Sequence, residues 1–144
     1  MRSVPVIDHR SALAALAAIC GAVESERKAA AIAIVDAHGE LLAFARLDGT
    51  LLSSGVLAVN KAYTSARLNR PTRVLGETLR ERGTDVAFYG DPRYVGFGGG
   101  LPALRDGVVI GGVGVSGLSD TEDEALAALG VSLLQGDPPI TTSV

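Results

Sequence analysis

From Asp8 to Arg27 the apolar residues Ala12, Leu13, Leu16, Ala17, Ile19, Cys20 and Val23 recur at the three- and four-residue spacing of one helix face. Asp8, just ahead of them, is the residue type that caps free helix amides. Ala30–Ala37 (AAIAIVDA) and Glu40–Leu47 (ELLAFARL) then read as two strands. His38-Gly39 reads as a two-residue turn between them, Gly39 supplying the positive φ such turns need. A second helix is predicted from Ser53 or Ser54 to Asn69, stopped by Pro71. A third follows Thr72 and ends near Gly83, with Val74, Leu75 and Leu79 on one face and Arg73, Arg80 and Arg82 off it.

Thr84–Gly100 has no regular period; Val86–Tyr89 inside it is expected as a short strand. Leu101–Arg105, Asp106-Gly107 and Val108–Ser116 form a second hairpin signal, the strongest short turn signal in the chain. Thr121–Gln135 reads as a last helix, with Ser119 or Asp120 as cap and Glu122, Asp123 and Glu124 near its positive end. The remainder, residues 136–144, is expected as a tail. One domain over 1–144 follows, with its core at about 8–135. Two tight hairpins among helices do not give the βαβ alternation of a parallel sheet, so the class is α+β with an antiparallel sheet.

Composition changes this picture in three ways. Ten of the 18 glycines lie between Gly90 and Gly117, so the excess belongs to one region and is not a linker. Glycine inside a strand removes a side chain where another backbone or a ligand comes close. Gly111, Gly112 and Gly114 therefore read as packing positions, and Gly98-Gly99-Gly100 as a wall of a pocket. The single cysteine, Cys20, excludes a disulfide framework and CxxC metal sites and makes a reducing, cytoplasmic setting the expectation. Met1–Arg10 carries Pro5 and Asp8 before the first apolar stretch and does not read as a signal peptide. No apolar run approaches the roughly 18 residues of a membrane span. The net charge of −3 argues against nucleic acid as a partner. Charge is nonetheless uneven: residues 61–105 hold eight basic and four acidic side chains, residues 106–144 none and six. An anion site near Lys61–Arg82 is one reading; solvated helix faces are the other.

Several motifs carry candidate chemistry. Gly112-Val-Gly114-Val-Ser-Gly117 matches GxGxxG, but only a short tail, with no second strand and no ribose-binding acid, is expected after its helix, so the context argues against a dinucleotide site. Arg46-x-Asp48-Gly49 reads either as a local ion pair and turn or as a guanidinium aimed at a ligand carboxylate. Lys61, in an otherwise small and apolar helix with Tyr63 and Ser65, reads as an anion anchor, a proton carrier, or a lysine snorkelling to solvent. Ser116 lies in GVSG, whose frame is not that of a nucleophile elbow. His9 and His38 are expected at the surface, and either offers a nitrogen to haem iron.

Asp36–Gly49, Lys61–Ala66, Gly98–Pro102, Asp106-Gly107, Gly111–Gly117 and Asp123-Glu124-Ala125, in this order and spacing, resemble the GlcG/HbpS-like family, which includes haem-binding proteins and the C-terminal domain of PduO-type proteins. The resemblance covers roughly residues 10–135. It implies a profilin-like three-layer α/β/α sandwich around an antiparallel five-stranded sheet. It also implies homo-oligomers, often tetramers or octamers, and in some members haem or corrinoid-related binding. The motif positions that match include Arg46, Asp48, Lys61, Gly98, Gly99, Gly100, Pro102 and Ser116, with Tyr63 beside them.

Two functions are expected from these readings. The first is an oligomeric small-ligand-binding protein of the haem-binding type, its pocket near Arg46, Lys61 and Gly98–Pro102, its ligand anionic, and His38 its candidate iron ligand. The second is a cofactor-independent isomerase, lyase or cyclase on a small carboxylate or carbonyl compound. Arg46 would then anchor the anion and Lys61 or Asp48 would move the proton.

Overall fold

The computed structural model describes residues 3–136 and 140–143. In chain order the elements are β1 (Ser3–Val6), α1 (His9–Ser25), β2 (Ala31–Asp36), β3 (Leu41–Arg46), α2 (Leu52–Leu68), α3 (Thr72–Arg82), a 3-10 turn at Val86–Tyr89, β4 (Gly100–Arg105), β5 (Val108–Ser116), α4 (Asp120–Gly136) and β6 (Ile140–Ser143). The fold is α+β, as expected. Its main sheet is antiparallel in the order β3-β2-β5-β4, so it has four strands where five were expected. The two strands that the sequence did not announce, β1 and β6, pair with each other instead. Of the expected tail, residues 137–139 and 144 lie outside the described residues, while Ile140–Ser143 is strand β6.

Alternation along β2 sorts the core into two layers. Ile32 and Ile34 meet Ala15, Ile19 and Val23 of α1, with Ala127 and Leu134 of α4, on one face. Ala31, Ala33 and Val35 meet Ala58, Ala62 and Ala66 of α2 on the other. The second face is built from small residues, and α2 lies almost backbone to backbone on it. A Cβ added at Gly112 would stand 2.6 Å from the Ala62 carbonyl oxygen, and one at Gly114 2.1 Å from that of Ala58. Most of the glycine excess between positions 100 and 114 is explained by this approach.

Caps and turns follow local chemistry. Asp8 accepts from Ser11 N at 2.7 Å, and at the start of α4 the Ser119 hydroxyl accepts from Glu122 N at 3.2 Å and donates to the Glu122 carboxylate at 2.9 Å. Asp106 and Gly107, both at positive φ (51° and 77°), close the second hairpin as a two-residue turn. Two expectations are corrected. Val86–Tyr89 is a 3-10 turn, because the Asp85 carboxylate accepts from Ala87 N and Gly90 ends the turn at positive φ. The first hairpin has three turn residues, Ala37-His38-Gly39, with a register shift at Ile34/Val35.

Candidate functional site

The His38 hairpin is a hydrogen-bonded turn at the surface. One oxygen of Asp36 accepts from His38 N at 2.9 Å and Glu40 N at 3.0 Å, while Asp36 N donates to the Glu40 carbonyl at 2.9 Å. An aspartate bonding the amides ahead of it holds such a turn in one shape. Gly39, at φ +89°, presses on α2: a Cβ there would stand 2.7 Å from the Tyr63 ring and 3.2 Å from Arg67 Cδ. His38 itself stays exposed. It borders an apolar pocket of about 300 Å³ lined by Pro5, Val6, Ile7, Leu42, Val108 and Val109, with Asp36 and Ala37 at the turn.

Behind the turn lies a second cluster. The buried Tyr63 hydroxyl donates to Asp91, and Arg93 clamps the same carboxylate through Nε and Nη2, both at 3.1 Å. The guanidinium carbon of Arg93 lies 4.0 Å from the Tyr63 ring centroid and that of Arg67 5.0 Å, within cation–π range. Thr64 ties the loop down by accepting from Val95 N at 3.1 Å. The Arg93 guanidinium first, and the Tyr63 hydroxyl second, hold the Asp91 carboxyl well below the usual carboxylate range. Burial, with the Asp91 bond, pushes the Tyr63 hydroxyl up. A depressed folded-state pKa gives stability that is complete above the unfolded value of about 3.9 and is lost as pH falls through the folded value. Tyrosine fluorescence, read without interference because the chain has no tryptophan, should therefore stay flat from neutrality down to about pH 4 and change only below it. A transition centred above that point contradicts the assignment.

A third group surrounds Lys61, which is 2% exposed. Its Nζ donates to the Val115 carbonyl at 2.9 Å and to Asp123 Oδ2 at 3.2 Å, and Asp123 Oδ1 accepts from Leu118 N at 3.1 Å. Burial pushes the Asp123 carboxyl up, against the opposing pull of the Lys61 ammonium. The triple glycine makes room for this pair. A Cβ at Gly99 would stand 2.9 Å from Lys61 Nζ, and one at Gly100 2.4 Å from the Lys61 carbonyl oxygen. Gly98 N donates to Asp120 and Gly100 N to Thr72, so the segment is bonded in place.

The expected site residues thus fall into separate places. Lys61, Gly98, Gly99 and Gly100 come together around Asp123, in a packed interior that corrects the expected pocket wall. Pro102 sits in β4 opposite Gly112. Arg46 and Ser116 flank Ala31 in one row across the sheet, two strand spacings of about 4.8 Å apart. Ser116 is buried, whereas Arg46 lines an outer groove with Phe44, Leu52 and Val56. Asp48 is exposed in the turn after β3, and His9 is exposed at the start of α1. Among the described residues, Lys61 and Gly98–Gly100 are buried while Arg46 faces the outer groove, so the residues expected around one pocket lie apart; an apolar pocket is at His38. Arg67, Asp91 and Arg93 were missed. Only Arg67 had a signal, since it lies one helical turn after Tyr63.

The comparisons with known proteins bear on this arrangement. A family described as haem-degrading protein HbpS-like matches residues 7–132. The chain belongs to the HbpS-like family. Protein GlcG of Escherichia coli (strain K12) is 31% identical over 116 residues, 81% of this chain and 85% of GlcG. Corrinoid adenosyltransferase PduO of Salmonella typhimurium is 34% identical over 108 residues, 72% of this chain but only 31% of PduO. The HbpS-like chain therefore spans about a third of that relative's length. The solved PduOC–haem complex has the same fold, with a TM-score of 0.80 at 27% identity over 89% of this chain and 94% of that one. Among the described residues of this HbpS-like chain, no helix is long and apolar enough to cross a membrane.

Proposed function

We propose that this HbpS-like chain is an oligomeric, cytoplasmic small-ligand-binding protein of the haem-binding type, holding an anionic tetrapyrrole at the His38 hairpin. One observation carries the reading: an exposed imidazole on a braced turn borders an apolar pocket of about 300 Å³. The relative solved with haem supports the choice of ligand.

The residues fit that group. An imidazole nitrogen is a common proximal ligand to haem iron, and apart from Asp36 and His38 the pocket lining is aliphatic. Its volume lies at the lower end for small-molecule sites, roughly 300–1,000 Å³, so one chain would cover part of a tetrapyrrole. Haem, when bound, supplies redox and oxygen chemistry. The chain's own part is to hold the iron through His38, to fix that side chain's backbone through Asp36, and to exclude water with Ile7, Leu42 and Val109.

A second copy of the chain is the occupant proposed for the outer groove, of about 470 Å³. There the large apolar side chains of Leu41, Phe44, Leu52 and Val56 are 50%, 40%, 74% and 64% exposed beside the edge strand β3. Such a patch beside an unpaired strand edge is what a subunit contact covers.

Titration with hemin, followed by native mass spectrometry, tests the whole reading. The expected result is a saturable Soret shift, an assembly at a multiple of 14.7 kDa with one haem per chain, and loss of both haem and shift in His38→Ala. No saturable shift in the unaltered protein, or an unchanged one in His38→Ala, overturns it.

A further inference from the structure

Arg67 is the group this reading leaves without a task. Its stem lies against Gly39, with Cδ 3.2 Å from the position a Cβ would take there, so it adjoins the residue after His38. Its guanidinium rests on the Tyr63 ring, 5.0 Å from the centroid, and the residue remains exposed. The neighbouring Arg93 is already paired with Asp91 on both of that carboxylate's oxygens. Among the described residues no carboxylate accepts a hydrogen bond from Arg67. Of the turn's own acids, Asp36 is committed to the amides of His38 and Glu40, and the exposed Glu40 forms no ion pair with Arg67.

We infer that Arg67 is the anion anchor of the His38 site and binds a carboxylate of the tetrapyrrole held there. The inference rests on the reading of that site as a tetrapyrrole site, and it assigns the specificity for a dicarboxylate macrocycle. A guanidinium suits the task because its planar fork takes both oxygens of a carboxylate at once. The aromatic ring beneath it limits the positions it can adopt, so less freedom is lost when the ligand arrives.

The test separates the carboxylates from the iron. Metal-free protoporphyrin IX, its dimethyl ester and hemin are each titrated into the unaltered protein, Arg67→Gln and Arg67→Lys. Charge-assisted hydrogen bonds of this kind correspond to roughly a 10- to 100-fold change in affinity. Arg67→Gln should weaken protoporphyrin IX and hemin by that factor, leave the ester's affinity unchanged, and leave the Soret position of the hemin complex where it was. Arg67→Lys should fall between. Equal binding of the free acid to Arg67→Gln and to the unaltered protein overturns the inference, as does an equal loss for acid and ester. So does a failure of protoporphyrin IX to bind at all. If hemin spectra are identical in His38→Ala while the protoporphyrin result holds, iron ligation fails and the anchor stands.

Discussion

Gly114→Ala is expected to lower stability by about 3 kcal/mol or more, a large share of the roughly 5–15 kcal/mol that keeps an ordinary domain folded. The reason is the kind of atom that would be struck. An added Cβ would lie 2.1 Å from the Ala58 carbonyl oxygen and 2.6 Å from the Ala62 amide nitrogen, both backbone of α2. No side-chain rotation relieves such a contact. Either α2 leaves the sheet or the sheet bends, and in both cases the small-residue layer of Ala31, Ala33, Ala58 and Ala62 loses its fit. Gly21→Ala is the control. Gly21 is inside α1 with nothing within 4 Å of its added Cβ, so the same substitution should raise stability by up to about 1 kcal/mol through helix propensity. Urea unfolding midpoints of the two variants should therefore move in opposite directions. A Gly114→Ala variant within about 1 kcal/mol of the parent means that the α2 layer yields easily and the account of the glycines is mistaken.

Which features could be read from the sequence follows the range of the interactions involved. The α1 face, the Asp8 cap, the Ser119 start of α4 and the Asp106-Gly107 turn are decided by residues a few positions apart, and they were legible. Strands β1 and β6 were not. Each has four residues, and their pairing joins Val6 to Ile140 from opposite ends of the chain. Val86–Tyr89 misled because its β-rich composition is overruled by two local events, the Asp85 bond to Ala87 N and the positive φ of Gly90. The site was legible in pieces. His38 was named as a candidate ligand, yet its apolar pocket depends on Pro5, Val6 and Ile7 lying over the ends of two hairpins. The glycine triplet was named too, but its reason is a salt bridge between residues 62 positions apart, which spacing alone does not reveal.

That salt bridge carries the other large effect. Asp123→Ala is expected to destabilise the chain by about 3–5 kcal/mol, because it strands the Lys61 ammonium in the interior. It also removes the acceptor of Leu118 N. Lys61→Met strands the opposite partner, and its cost depends on pH. The buried carboxyl of Asp123 then lacks its one cation, so its folded pKa rises further above the unfolded value. A raised folded pKa means that stability is complete below the unfolded value, about 3.9, and is lost as pH rises through the folded one. The defect in Lys61→Met should accordingly be large at pH 7 and shrink as pH falls, whereas that in Asp123→Ala, which has no carboxyl left to protonate, should not shrink in this way. The double variant Lys61→Met, Asp123→Asn keeps an acceptor for Leu118 N and buries no charge, so it should recover most of the loss. Thermal unfolding across pH, run on the three variants, reads all of this. If Lys61→Met proves as stable as the parent at pH 7, the ammonium is not holding α2, β5 and α4 together. It is then available for the proton transfer that its exposure of 2% now argues against.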